Sequence, residues 1–199
     1  MDTIEAIHTR RSVRAYRPEP VPRPLIEDLI WAAAQAPTPP VSGDVPWAFC
    51  VVEGVERLAG YGQRALQHAR EHPGEGSRDG SRDGPRDGSR DGSRETWPDR
   101  PGFKVFWDAP ALVLICGRQG NPEARLDCCR AGQNLLLAAH ARGLGSCWVG
   151  APLPWLHSAG VAEELGLPPG FKPVVAVVLG LALEAPTGNP RPRPPVCWC

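Results

Sequence analysis

Leu135-Leu136-Leu137-Ala138-Ala139-His140-Ala141-Arg142-Gly143-Leu144-Gly145-Ser146-Cys147-Trp148-Val149 passes from helix to strand across a short glycine-containing turn. Apolar and small residues between 124 and 142 recur at helical spacing, Arg142 falls where a last turn favours a cation, and Gly143 ends such helices. The spacing therefore predicts a helix over 124–142. Few polar positions follow Asn134, so this helix is expected to be buried on most sides. Residues 146–149 read as a strand. Residues 111–116 (Ala-Leu-Val-Leu-Ile-Cys) and 174–179 are unbroken apolar runs, the pattern of strands buried on both faces. Residues 47–52 form a further strand, ended by Glu53-Gly54.

Around these strands the chain supplies helices. Asp2 or Thr3 caps a short one through Ile4 and Ile7. Pro24 occupies a first-turn position ahead of Leu25, Ile26, Leu29, Ile30, Ala33 and Ala34, with Glu27 and Asp28 on the outer face and a stop at Ala36-Pro37. Residues 37–46 are loop, 154–165 a helix, and 186–195 too proline-rich for anything but an extended arm. Helices alternating with short buried strands place the fold in the α+β or α/β class with a central sheet.

The chain has 199 residues, enough for one ordinary domain, and residues 1–199 read as one domain interrupted at 75–95. That stretch repeats Ser-Arg-Asp-Gly without an apolar side chain, so it cannot offset its ordering entropy and reads as a disordered, charge-balanced insert. Lys plus Arg equals Asp plus Glu, 22 each, which excludes an overall field for nucleic acid or anionic membranes. Any anion site must be local. The absence of an export-signal pattern and the odd count of seven cysteines point to reduced thiols and a cytoplasmic protein.

The local anion site is Arg10-Arg11-Ser12-Val13-Arg14. Guanidinium forks and a hydroxyl suit phosphate oxygens, although a solvated basic turn has the same composition. Residues 7–16, Ala36-Pro37 leading to Pro46-Trp47-Ala48-Phe49, Asp108-Ala109-Pro110, 143–150, and Gly180 followed by Arg193-Pro194-Pro195-Val196 together resemble the nitroreductase family of FMN-dependent flavoproteins. No single motif is specific; their order along the chain is. The resemblance implies an α+β fold with a central mixed sheet flanked by helices and an extended C-terminal arm, forming a homodimer with FMN at the subunit interface. It places the FMN phosphate and ribityl chain at Arg10, Arg11, Ser12, Arg14 and Arg193, and the flavin ring along Gly145, Trp148, Val149 and Gly150. Read without it, Gly143 and Gly145 are equally a helix stop and a tight turn, and Trp148 a core aromatic.

The implied reaction is hydride transfer from NADH or NADPH through flavin to a nitroaromatic, quinone or similar electron-poor acceptor. The flavin carries the chemistry, so no catalytic side chain is expected. Alternatives are a biosynthetic dehydrogenase of peptides or diketopiperazines, a domain like the flavin-binding half of the F420 glutamate ligase, and a flavin protein without turnover. They are motivated by the loop 38–45, which lacks the family's asparagine and offers Thr38, Ser42 or Asp44 instead. Cys128-Cys129 and Cys197-Trp198-Cys199 lack metal-ligand spacing, and Cys128 and Cys129 read as small core residues. His140 reads as a satisfied polar group on a buried helix.

Replacing 75–95 with a short Gly/Ser linker is expected to leave dimerisation and FMN binding intact, because loop length changes closure entropy only slowly. Size-exclusion chromatography and flavin content check this; loss of either makes the segment structural.

Overall fold

The computed structural model describes residues 1–39, 45–73, 97–186, 188 and 192–199. The 75–95 insert and most of the loop at 40–44 lie outside the described residues.

The first helix, α1 (Thr3–Thr9), starts where Asp2 Oδ1 accepts the Glu5 N–H at 2.8 Å. Helix α2 (Arg23–Ala33) has its proline in the first turn and buries Ile26, Leu29 and Ala33. Strand β1 (Trp47–Glu53) gives way at Gly54, whose φ of 102° turns the chain into α3 (Val55–Glu71). A single 3-10 turn (Trp97–Asp99) precedes β2 (Ala111–Arg118), α4 (Ala124–Ala141) and β3 (Gly145–Trp148). The expected helix over 154–165 is instead two single turns, α5 (Leu153–Leu156) and α6 (Val161–Glu164). The first ends with His157 as its C-cap, and Gly160, with a left-handed φ of 81°, is the N-cap of the second. Strand β4 (Phe171–Gly180) closes the sheet.

The four strands lie in the order β1-β2-β4-β3, and every neighbouring pair is antiparallel. Among the described residues the one parallel pairing is an isolated bridge between Ser12 and Ser146. Alternation assigns each strand's side chains to two layers. Val113, Ile115, Val175, Val177 and Trp47 meet α2 and α4 on one face; Leu112, Leu114, Ala176, Val178 and Val52 meet α3, α5 and the 105–106 turn on the other. Helices on both faces explain why β2 and β4 read as continuous apolar runs despite antiparallel pairing. The β2–β4 register shifts between Ile115 and Cys116, opposite Pro173, which has no N–H for the ladder. The Pro173 carbonyl accepts from His157 Nε2 at 2.7 Å.

Glycines set how closely the layers approach. A Cβ on Gly117 would stand 2.9 Å from Ala124 Cβ, and one on Gly132 would stand 2.8 Å from the Trp148 ring, so α4 rests directly on the sheet. Among the described residues no helix is long and apolar enough to cross a membrane.

A Cβ on Gly180 would lie 2.6 Å from Pro110 Cδ and 2.9 Å from the Tyr16 ring, whereas a Cβ on Gly60, inside α3, meets nothing within 4 Å. Gly180→Ala is therefore expected to cost about 1–3 kcal/mol by overpacking. Gly60→Ala is expected to gain up to about 1 kcal/mol from helix propensity. Thermal unfolding of both variants checks the opposite signs.

Candidate functional site

The N-terminal segment reaches the site by adding itself to the open edge of β3. Val13 N–H donates to the Ser146 carbonyl at 3.0 Å, and the Ser12–Ser146 bridge fixes the register. Three Val13 side-chain carbons lie 3.0 Å from where a Gly145 Cβ would be. Further along, Arg17 N–H donates to Leu181 O at 2.9 Å, Leu183 N–H donates to Ala15 O at 3.0 Å, and Tyr16 pairs with Ala182. Tyr16 itself is buried and its hydroxyl donates to Val13 O at 2.7 Å; burial first, then Cys147, pushes its phenol far above the usual range.

This docking brings Arg10, Arg11, Ser12 and Gly145 into one corner. Arg10 is the C-cap of α1, its N–H donating to Ala6 O. Arg11 is partly buried, and its NH1 donates to the carbonyls of His8 and Arg10, each at 2.9 Å. A Cβ on Gly188 would stand 2.9 Å from Arg11 Cδ, so Gly188 lies against this guanidinium stem. Arg193 itself is exposed. Ser146 Oγ is buried with no hydrogen-bond partner among the described residues, beside the Ser12 pairing.

Arg14 takes a different course. Its guanidinium lies 5.5 Å from the centroid of the Trp107 ring and lines a groove of about 310 Å³ with Tyr16, Phe103, Lys104, Trp107 and Leu183. Trp107 and Asp108 both hold left-handed φ, 49° and 58°, at a cost of about 1–3 kcal/mol each. An ion pair from Lys104 to Asp108 supports that turn. Sequence reading identified Asp108 only as part of a strand entry and overlooked Lys104 and Trp107, because consecutive left-handed non-glycine residues leave no compositional mark.

Trp148 is partly exposed, and its ring packs against Gly132 of α4. Val149 is buried and donates its N–H to Ala176 O at 2.8 Å. Gly150 lies in the turn just beyond and accepts from Leu153 N–H at 3.1 Å. Gly143 is the helix stop, with φ of 77° and its N–H on His140 O, while Gly145 is a strand residue rather than a turn. His140 Nε2 sits 2.8 Å from Thr9 Oγ1, a contact between the ends of α4 and α1 that no spacing in the sequence announces.

Two of the thiols, Cys116 and Cys128, are core residues of β2 and α4. Cys116 and Cys128 are fully buried, and burial, reinforced by neighbouring thiols and, at Cys128, by Asp127, pushes both up to about 12, so both stay protonated. Among the described residues no three His, Cys, Asp or Glu side chains stand together as a metal site.

The likeness to known proteins covers the whole of this architecture. A protein of Methanothermobacter thermautotrophicus, provisionally named an NADH dehydrogenase/NAD(P)H nitroreductase, is 28% identical over 191 residues, covering 94% of this chain and 80% of the relative. Among solved structures, a nitroreductase with bound FMN from Bacteroides fragilis superposes with a TM-score of 0.76 at 23% identity, covering 98% of this chain and 95% of that one. One from Desulfitobacterium hafniense, also with bound FMN, gives 0.73 at 23% identity over 100% and 99% of the two chains. At that identity these structures establish the α+β fold. A model of the nitroreductase family matches residues 7–181, from the end of α1 to the end of β4, and the chain belongs to that family.

Proposed function

We propose that this protein is an FMN-dependent oxidoreductase that takes hydride from NADH or NADPH and passes it to a nitroaromatic, quinone or similar electron-poor acceptor, working as a homodimer. The observation that carries the reading is the bridge between Ser12 and Ser146, which sets the arginine cluster beside β3 and the turn that follows it to Gly150. Family membership and the names of its relatives point the same way.

The residues present suit the cofactor. Arg10, Arg11 and Ser12 would hold the phosphate, with Gly188 against Arg11 and Arg193 as a further candidate on the C-terminal stretch. An orphaned buried hydroxyl, Ser146 Oγ, adjoins them. Bound FMN supplies reversible hydride transfer. The chain's own work is to bind, orient and shield. Val149 N–H is committed to Ala176, so of the two residues after β3 it is Gly150 whose N–H would face a bound ring. Trp148, held against Gly132, fixes the course of that backbone. Arg14 and Trp107 wall the adjoining groove, where the electron-rich indole suits stacking on an electron-poor ring and the guanidinium suits that acceptor's oxygen atoms.

Outer faces of α1, α2 and α4 carry apolar side chains that a monomer leaves in water: Ile4 is 65% exposed, Trp31 72% and Leu126 51%. Such surface is what a second copy of this chain would cover. Trp31→Glu combined with Leu126→Glu is expected to give a monomer in sedimentation and to lose FMN with it; a flavin-bound monomer contradicts the shared site.

Arg11→Ala and Arg193→Ala are each expected to weaken FMN binding about tenfold to a hundredfold, from about 1.5–3 kcal/mol per charge-assisted bond. Riboflavin, which lacks the phosphate, should hardly respond. Fluorescence titration of both ligands checks this, and equal losses for the two would assign these arginines to the fold or the ring. Steady-state reduction by each nicotinamide followed by an acceptor panel tests the reaction itself.

A further inference from the structure

We propose that His140 is proton-coupled to the anion site, so that a dianion held by Arg10 and Arg11 draws a proton onto the His140 imidazole and binds more tightly as pH falls. The inference rests on the reading of these arginines as an anion grip.

The geometry begins at Thr9, the last residue of α1, immediately before Arg10. Its hydroxyl has one proton, and the Glu5 carbonyl 2.7 Å away accepts it. The contact of 2.8 Å between Thr9 Oγ1 and His140 Nε2 is then made by an Nε2–H that donates to the hydroxyl oxygen. This network assigns the neutral tautomer, and the proton that comes and goes is the one on Nδ1. His140 is thereby anchored by one nitrogen at the exit of α1, where the arginine cluster starts.

The charges around it are of mixed sign. Burial first, then Arg10 and Arg11, hold the imidazole below its ordinary range, and Glu5 of α1 opposes them. His8 stands in the last turn of α1 and Asp2 at its N-terminus. On α4, Arg142 follows two residues later and lies 3.4 Å from Asp28 of α2. Arg17 and Glu184 line the shallow groove beside Gly143. The two guanidinium charges are the part of this field that a bound oxyanion would cancel.

The sign follows. With the grip empty, positive charge disfavours the imidazolium. A dianion between the arginines brings their summed charge near zero, the imidazole becomes easier to protonate, and binding is accompanied by proton uptake. By linkage, affinity rises as pH falls between the two pKa values, empty and filled, and is flat outside that window. An upward shift of about one unit corresponds to about a tenfold change in affinity.

FMN alone is an ambiguous probe, because its phosphate titrates near pH 6. Sulfate stays doubly charged, so the test uses both. The wild-type protein with isotope-labelled histidine is titrated from about pH 5 to pH 8 by NMR, without ligand, with sulfate and with FMN, following the resonances of its five histidines. The expected result is an upward shift of about one unit for His140 with either ligand, with His68 and His157 unmoved, and in His140→Gln a sulfate affinity that no longer depends on pH. Sulfate that perturbs the Arg11 and Ser12 amides while His140 stays put overturns the coupling, as does FMN that binds without moving it; in the latter case the flavin assignment survives. Sulfate that shifts His140 while FMN fails to bind supports the coupling and removes the flavin assignment. If neither ligand perturbs the Arg10–Arg11 region, the coupling falls together with the grip.

Discussion

The contact on which the rest of the site depends is between side chains and the lack of one. Val13 presses its whole isopropyl group against the backbone of Gly145, and Tyr16 with Pro110 does the same at Gly180, the residue paired with Gly145 across β3 and β4. Any Cβ at either position would hold the N-terminal segment off the sheet. Because none is there, the hydrogen bonds at Val13, Arg17 and Leu183 can form, and the segment becomes an added edge of the sheet. Covering β3 in this way also removes an unpaired edge, which is otherwise a template for pairing with other chains. One crowded corner therefore serves both the closure of the sheet and the placement of the arginines.

The same device positions α4. Gly132 admits the Trp148 ring and Gly117 admits Ala124, so the helix is seated at two points along its length. Its C-terminal end is then determined, and with it the Gly143 turn that delivers Gly145 and the His140 that reaches Thr9. Trp148 answers to the core rather than to solvent. A strand whose largest side chain is committed to helix packing has little freedom in its backbone, as the ring-facing role proposed for this stretch requires.

Much of this was legible in the residues. The apolar runs of β2 and β4, the glycine stop after α4 and the cap at Asp2 each follow from a local rule, and their order along the chain carried the family likeness. Helix α3 escaped because its buried face is Leu58, Gly62 and Ala65: two of the three positions that meet the sheet layer carry almost no apolar surface. A Cβ at Gly62 would meet Val105 and Phe106 only at an ordinary contact distance of 3.6 Å, so this face lies against the 105–106 turn without a periodic apolar stripe of its own. The 154–165 helix was over-extended for the opposite reason, since its apolar spacing continues through Gly160 while the backbone there turns left-handed. The arginine cluster was legible as a basic run, but its division, with Arg11 toward Gly188 and Arg14 toward Trp107, was not. Five consecutive residues in an extended run point to alternate sides only once something, here Val13 in the core, fixes which side is inward.

A chain with equal numbers of cations and anions can still offer a steep local field if the cations are prevented from relaxing away from one another. Arg10 and Arg11 are adjacent in sequence, and their mutual repulsion would ordinarily swing long side chains apart into water. Arg11 is restrained by two backbone carbonyls, those of His8 and Arg10, which belong to the last turn and cap of α1 and are the acceptors that a helix end leaves without partners. The helix C-terminus thus holds the guanidinium in place by electrostatics that favour a cation there, and the same orphaned carbonyls set its direction. The placement of this guanidinium is for that reason a property of where α1 ends rather than of the arginine alone. Moving the helix end by one residue would move the donors with it, which makes the Asp2 cap at the other end of the same helix part of the site's geometry.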